Sequence, residues 1–251
     1  MGKLDNKIAL VTGSSSGIGK TVALAFAEQG ADLVLNYPDG SQLQNVTHVQ
    51  EEIAATGRRV IAVRADVSQE EQVQGLIDTS VQTYGRIDIL VNNAGIGTAS
   101  LVEQMSVAMW DEMLAVNLRS VFLCTRLVLP LMYRQNSGRI ISTASQLAYK
   151  GAPGLSHYCA AKAAIIAFTR SLSHEIGTRN INANCVAPGA THTPLVEGLK
   201  KEAIEAIRAA IPKGRLATVD EIAPTYVFLA SDESRHFVGQ CLSPNGGDVM
   251  L

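Results

Sequence analysis

Tyr158 and Lys162 stand four residues apart in Tyr158-Cys159-Ala160-Ala161-Lys162, and on a helix positions i and i+4 share a face. A phenol beside an ammonium is a ready acid/base pair. The phenol ordinarily titrates near ~10, and a fixed positive charge favours the phenolate and brings proton transfer towards neutral pH. Upstream, Ser145 ends the apolar run Arg139-Ile140-Ile141-Ser142-Thr143-Ala144-Ser145, which reads as a buried strand opening into a loop. A hydroxyl there can polarise a carbonyl. An ordinary helix with one Tyr and one Lys has the same spacing, so the elements that position these residues must decide.

Ile8–Thr12 is a short continuous apolar run, the pattern of a strand buried on both faces of a parallel sheet. The turn Gly13-Ser14-Ser15-Ser16-Gly17-Ile18-Gly19 follows, then an alanine-rich helical pattern from Lys20 to Gln29. Glycines in such a turn permit close backbone approach, and a helix N-terminus facing it offers unpaired N–H groups to a pyrophosphate. The spacing is GxxxGxG, and a plain strand-to-helix turn is the alternative. The second strand, Ala31–Leu35, ends at Asn36-Tyr37, where an acid would read the ribose hydroxyls of NAD. No acid stands there, which tilts the choice towards NADP, yet no Arg or Lys follows directly to hold a 2′-phosphate. Asp39 is close enough in the chain to reach the ribose.

Ser41–Thr56 predicts an amphipathic helix closed by Gly57, and Arg59–Arg64 a third strand. Asp66-Val67 follows at the carboxyl end, where open α/β sheets bind ligands; Asp66 either meets an adenine or caps a helix over Gln69–Tyr84. Ile87–Val91 predicts the fourth strand and leads into Asn92-Asn93-Ala94-Gly95. Its amides can tie strand ends together and leave room for a ribose, or simply make a turn.

Ser106 is placed to cap a long helix running to about Pro130, with Asn117 midway on an apolar face and therefore in need of a partner, a water or a kink. Strand Gly138–Ser142, helix Ser156–Ile176 and strand Ile181–Val186 continue the alternation. The loop Ala187-Pro188-Gly189-Ala190-Thr191-His192-Thr193 is again at a carboxyl end and placed to cover a cofactor. A substrate lid is expected over about residues 190–212, in which Pro194–Ala210 is the least sheet-like stretch of the chain. His192 either touches substrate or is a solvated loop residue. A helix over Val219–Ala230 and a last strand around Gln240–Ser243 complete a single domain spanning residues 1–251.

With 47% hydrophobic and 18% charged residues and a net charge of -2, the 251-residue chain has the core of a large globular domain and no electrostatic footprint for nucleic acid or an anionic membrane. The N-terminus lacks the pattern of a secretory signal, and apolar runs such as Val121–Met132 are interrupted by Arg126 and Pro130. A soluble cytoplasmic protein is expected. Cys124, Cys159, Cys185 and Cys241 lie far apart, with neither a CxxC pair nor zinc spacing; they read as free thiols, no base is marked for Cys159, and no metal site is expected.

Taken together, Thr12 to Gly19, Asp66, Asn92 to Gly95, Asn117, Ser145, Tyr158, Lys162 and Pro188-Gly189 with Thr193 resemble the short-chain dehydrogenase/reductase family end to end, its 3-oxoacyl-(acyl carrier protein) reductase branch most. The resemblance implies a three-layer Rossmann fold, a doubly wound seven-stranded parallel sheet flanked by helices, assembled as a homotetramer or homodimer. It implies Tyr158 as acid/base, Ser145 as the group holding the carbonyl, Lys162 as the ribose ligand that lowers the Tyr158 pKa, and Asn117 as the holder of a relay water. With the readings above, the expected cofactor residues are Gly13, Ser15, Ser16, Gly17, Ile18, Gly19, Asn36, Tyr37, Asp66, Val67, Asn93, Ala94, Gly95, Tyr158, Lys162, Pro188, Gly189, Thr191 and Thr193. Ser145, Leu147, Leu155, Tyr158 and His192 would line the substrate pocket.

Two departures stand out. Ser243-Pro244-Asn245-Gly246-Gly247-Asp248 replaces the family's usual Val-Asp-Gly-Gly ending, and Thr191 replaces an aliphatic residue over the nicotinamide carboxamide. Three substrate classes therefore compete: a 3-oxoacyl thioester, a sugar or polyol, and a cyclic or steroid-like alcohol. A silent dinucleotide-binding module would need a broken acid/base set, and none of its members is missing.

Overall fold

The apolar runs alternate side chains between two covered faces, which is why they contain no polar stripe. In the computed structural model, which describes residues 2–250, strands β1 (Ile8–Val11), β2 (Asp32–Tyr37), β3 (Val60–Arg64), β4 (Ile89–Asn92), β5 (Gly138–Thr143), β6 (Ile181–Val186) and β7 (Cys241–Leu242) form one sheet in the order β3-β2-β1-β4-β5-β6-β7. Every pairing is parallel. Ala9, Val11, Leu33, Leu35, Ile89 and Val91 point to one face, where helices α1 (Gly17–Glu28), α2 (Leu43–Ala55) and α10 (Val219–Ala230) bury Val22, Phe26, Ile53 and Tyr226. Leu10, Val34, Leu90 and Ile140 point to the other, against α3 (Glu70–Tyr84), α5 (Ser120–Gln135) and α7 (Ser156–Ile176). Burial on both faces forces the crossover helices that make the sheet parallel.

The chain winds outward from β1 through β3, then returns to β4 beside β1 and winds the other way. That reversal opens a crevice at the carboxyl ends of β1 and β4. α7, β6 and α10 occupy the spans that the sequence predicts, Ser156–Ile176, Ile181–Val186 and Val219–Ala230, whereas α1 begins at Gly17 rather than Lys20 because the turn's last residues are already helical.

The helix capped by Ser106, whose hydroxyl accepts from Met109 N–H at 3.1 Å, does not stop at Pro130. α4 (Val107–Leu114) passes through a π-helical turn, Ala115–Arg119, into α5 and on to Gln135. The continuous stretch Val107–Gln135 has the length and apolar composition of a membrane span, so Arg126 and Pro130 do not break it as expected. Its inward residues Met113, Leu123, Cys124, Val128 and Met132 are buried in the core. After β6 come two short helices, α8 (Pro194–Glu197) and α9 (Lys201–Ala210), largely exposed.

Candidate active site

The glycine turn is held to β4 by the residues that follow that strand. Thr12 Oγ1 accepts from the backbone N–H of Asn93 at 2.9 Å and of Ala94 at 3.0 Å, while Asn93 Nδ2 donates to the carbonyls of Thr12 and Gly13, each at 3.1 Å. Asn92 Nδ2 reaches Thr125 Oγ1 and Ser142 Oγ, so the amides do tie three strand ends together. A Cβ on Gly19 would lie 2.2 Å from the Gly13 carbonyl oxygen and 2.4 Å from Asn93 Nδ2; this position admits only glycine. Ser16 sits at the N-cap of α1 without a side-chain bond to the helix, and the first turn has no acidic residue. The leading N–H groups of Gly17, Ile18 and Gly19 are thus left for an anion. Thr193 closes the other side, its methyl 3.5 Å from where a Gly17 Cβ would stand. The cradle fits a pyrophosphate.

At the end of β2, Asn36 is turned into the protein. Its side chain is buried, accepting from Gly13 N–H at 3.2 Å and donating to the Ala65 carbonyl at 2.9 Å, so it braces the glycine turn against β3. Tyr37 is the last residue of β2 and lies in register with Arg64. Sequence order alone hid Arg64, because only strand pairing brings it beside Tyr37. It is exposed and forms no ion pair among the described residues. Hydrogen bonds from Ser41, and then the Arg64 charge, hold the Asp39 carboxyl below its ordinary value. Ser15 Oγ donates to Gln42 Oε1 at 3.3 Å, linking turn and loop. Asp66 does not cap α3, whose N-cap is Gln69; its Oδ1 accepts from the backbone N–H and hydroxyl of Ser68, and Val67 beside it is buried.

Ser145, Tyr158 and Lys162 meet at the carboxyl end of β5. The Ser145 hydroxyl accepts from Leu147 N–H at 3.1 Å and also faces the Tyr158 phenol. Burial pushes the phenol above its ordinary value, with the Ser145 hydroxyl pulling the other way. The expected depression by Lys162 does not dominate: Lys162 Nζ is 5.6 Å from the Tyr158 ring centre and donates to the Thr143 carbonyl at 2.8 Å. Burial brings Lys162 itself down to about 8.

Asn117 lies in the π-helical turn, where one extra residue swings its side chain out of register with the apolar face. Nδ2 donates to the carbonyls of Ile96 at 3.1 Å and Met113 at 3.2 Å. Oδ1 is buried without a partner, and Gly95, whose Cβ would lie 2.6 Å from Asn117 Oδ1 and 3.6 Å from Lys162 Nζ, keeps the gap open. An orphaned acceptor beside a lysine suits a water or a ribose hydroxyl.

The loop after β6 folds back on itself. Thr191 is buried with its hydroxyl donating to the Gly189 carbonyl at 2.9 Å, and Gly189 N–H donates to Pro244. His192 is exposed, and Leu147 and Leu155 are half-buried. Leu195 of α8 packs so closely on Gly97 that a Cβ there would come within 2.9 Å. His157, absent from the expected site, is wholly buried with Nε2 3.0 Å from Thr98 Oγ1; its place next to Tyr158 was the only signal in sequence. Asp248, in the unusual C-terminal segment, is nearly buried and holds both Gln146 and Lys150.

A seven-stranded parallel sheet with this turn and this Ser-Tyr-Lys constellation has close counterparts. The family model described as enoyl-(acyl carrier protein) reductase matches residues 13–248. The chain belongs to the short-chain dehydrogenase/reductase family. It is 41% identical to a hydroxy(phenyl)methylsuccinyl-CoA dehydrogenase subunit of Thauera aromatica, across 97% of both chains. It is also 41% identical to a 3-oxoacyl-(acyl-carrier-protein) reductase of Synechocystis, across 100% of both. The solved structure of levodione reductase superposes with a TM-score of 0.92 at 33% identity, covering 97% of this chain and 98% of the other. This short-chain dehydrogenase/reductase is an NAD(P)-dependent oxidoreductase that interconverts a secondary alcohol and a ketone, most similar to the 3-oxoacyl reductases.

Proposed function

We propose that this enzyme reduces 3-oxoacyl thioesters with NADPH. The observation that carries the reaction is the convergence of the Ser145 hydroxyl and the Tyr158 phenol beside Lys162, at the edge of the crevice. A substrate carbonyl oxygen bound there would accept from Ser145 and receive its proton from Tyr158. Charge growing on that oxygen meets donors already in place, which is worth several kcal/mol in a site shielded from water. A bound nicotinamide dinucleotide supplies the hydride. Gly13–Gly19 would hold its pyrophosphate, Asp66 and Val67 its adenine, Lys162 its nicotinamide ribose, and Pro188, Gly189, Thr191 and Thr193 its nicotinamide end. Asn117 Oδ1 holds the water through which Tyr158 regains a proton.

Three features support the finer reading. No acid closes β2 and Arg64 stands beside Tyr37, an arrangement that favours a 2′-phosphate over a bare ribose. Two relatives at 41% identity carry names that describe thioester substrates. The α8–α9 segment is the candidate lid: Leu195 packs on Gly97, and the exposed Lys200 and Lys201 would suit an acidic carrier. We place the enzyme in the cytoplasm as a homotetramer formed from this single domain.

A second class, a cyclic alcohol, is favoured by the apolar side chains of Leu147, Leu155 and Leu195 and by Lys150 being engaged by Asp248 rather than free for an anion. Initial rates with acetoacetyl-CoA and with cyclohexanone, each followed by loss of reduced nicotinamide with NADPH or NADH, separate the two. Acetoacetyl-CoA turnover preferring NADPH supports the proposal. Turnover confined to cyclohexanone, or to NADH, overturns it. Tyr158→Phe should keep cofactor affinity while losing turnover by about 10²–10⁴-fold.

A further inference from the structure

Cys185 and Cys241 are far apart in the chain but directly opposed in the sheet. They are register partners on β6 and the edge strand β7, held by bonds from Cys185 N–H to Gln240 and from Ala187 N–H to Leu242, each 2.8 Å. Both thiols lie on the same face, in one cluster with Ile165, Tyr149 and Val121. Parallel neighbours stand about 4.7–4.9 Å apart, inside the range of roughly 4.4–6.8 Å between the Cα atoms of a disulfide.

We infer that Cys185 and Cys241 form a peroxide-responsive dithiol that closes to an intramolecular disulfide and displaces the support of Ser145. Cys241 is half-buried, while Cys185 is buried. The Cys241 thiolate attacks hydrogen peroxide, breaking its O–O bond to give the Cys241 sulfenic acid and hydroxide. The Cys185 thiol then attacks the sulfenic sulfur, forming the S–S bond and releasing water, with its proton carried off in that water. Peroxide is reduced by two electrons and the two sulfurs are oxidised by one each. The chemistry has local support: contact with Cys185, and then the Tyr149 phenol, lowers the Cys241 pKa, while Cys185 stays protonated as a resolving thiol should.

The connection to the site runs through named contacts. Tyr149 packs on the pair from α6 (Leu147–Lys150), the turn directly after Ser145. Cys185 Sγ lies 3.1 Å from Thr169 Oγ1 on α7, the helix of Tyr158 and Lys162, and Cys185 pairs in register with Ser142 on β5. Bridging demands Cβ atoms within about 3.5–4.5 Å, so closure draws the two-residue edge strand inward and shifts Tyr149. A strained bridge of this kind is readily reduced, which makes the change reversible.

The test treats the full-length enzyme with hydrogen peroxide, then dithiothreitol, following activity and a non-reducing peptide map. The expected result is a linked Cys185–Cys241 peptide lighter by two hydrogens, with activity lower by roughly 10–100-fold, as an ångström-scale misplacement of a catalytic group produces, and recovered on reduction. Cys159→Ser, which removes the thiol next to Tyr158, should respond like the wild type, and Cys241→Ser should keep its activity in peroxide. No linked peptide, a Cys241 sulfinic acid in its place, or inactivation that persists in Cys241→Ser overturns the inference.

Discussion

Lys162 Nζ donates to the Thr143 carbonyl at 2.8 Å, so the ammonium is anchored to the end of β5 and not to the phenol four residues before it. Burial lowers Lys162 from 10.5 to about 8. The consequence for stability has a definite sign. Between about pH 8 and 10 the unfolded chain keeps this proton while the folded chain has lost it, so raising the pH favours folding, by at most about 1.4 kcal/mol per pH unit. Above the ordinary phenol range the raised Tyr158 works against this gain, because the unfolded chain ionises first. Urea unfolding at about pH 7.5, 8.5 and 9.5 should show stability rising with pH in the wild type relative to Lys162→Met. Parallel pH profiles for the two proteins would mean that the lysine titrates as if exposed.

Asn117 should affect both folding and rate. Its Nδ2 satisfies two carbonyls at the π-helical turn, and its Oδ1 waits beside Lys162. Asn117→Ala leaves the Ile96 and Met113 carbonyls short of a donor, a loss of about 1–3 kcal/mol. It also removes the acceptor that holds the relay water, so kcat should fall by about 10²-fold or more with substrate KM nearly unchanged. Lowered stability at full kcat would reduce Asn117 to a structural amide.

Arg64 should set the cofactor preference. Its partner across the ladder, Tyr37, ends β2, and Asp39 lies near enough for its carboxyl to feel the Arg64 charge. Removing one charge-assisted contact to a phosphate is worth about 1.5–3 kcal/mol, so Arg64→Ala should raise the NADPH dissociation constant by roughly 10–100-fold and leave NADH within about twofold. Titrations following nicotinamide fluorescence decide it; equal losses for both cofactors would remove Arg64 from the 2′-position.

The elements carrying Ser145, Tyr158 and Lys162 were legible because they are set locally. A long helix with Tyr and Lys at i and i+4 follows from periodicity, and Ser156–Ile176 is where α7 lies. What escaped the sequence depends on pairing between distant segments. Asn36 lies beyond β2's predicted end but is pulled into the sheet by Gly13 and Ala65. Arg64 and the Cys185–Cys241 pair exist as neighbours only once strand register is fixed. An amide at Asn117 on an apolar helix face calls for a partner or a kink, but the kink is a π-helical turn and the Ile96 carbonyl that accepts from the amide lies on a distant segment. The Lys162 bond to Thr143 was hidden for the same reason, since helix spacing says nothing about the strand beneath.

Asp248 turns the unusual C-terminal segment into a clamp on the catalytic turn. Its carboxylate accepts from Gln146 Nε2 at 2.6 Å and from Lys150 Nζ at 2.6 and 2.7 Å, gripping residues on both ends of the short helix after Ser145. Asn245 fixes the approach, donating to Ser243 Oγ and the Val249 carbonyl and accepting from Gly247 N–H. The Asp248 side chain is 5% exposed and that of Lys150 36%, so the pair is screened on one side only and is worth more than a surface bridge. Asp248→Ala should cost about 1–3 kcal/mol, chiefly through the Gln146 amide and the Lys150 charge left without their acceptor. Because Ser145 is loosened rather than removed, kcat/KM should fall by roughly 10-fold, with cofactor affinity preserved. A Lys150→Met, Asp248→Ala double mutant should lose less than the sum of the singles, since each single already breaks the same contact. Strict additivity in thermal unfolding, together with full activity in Asp248→Ala, would show the tail resting on the turn without holding it.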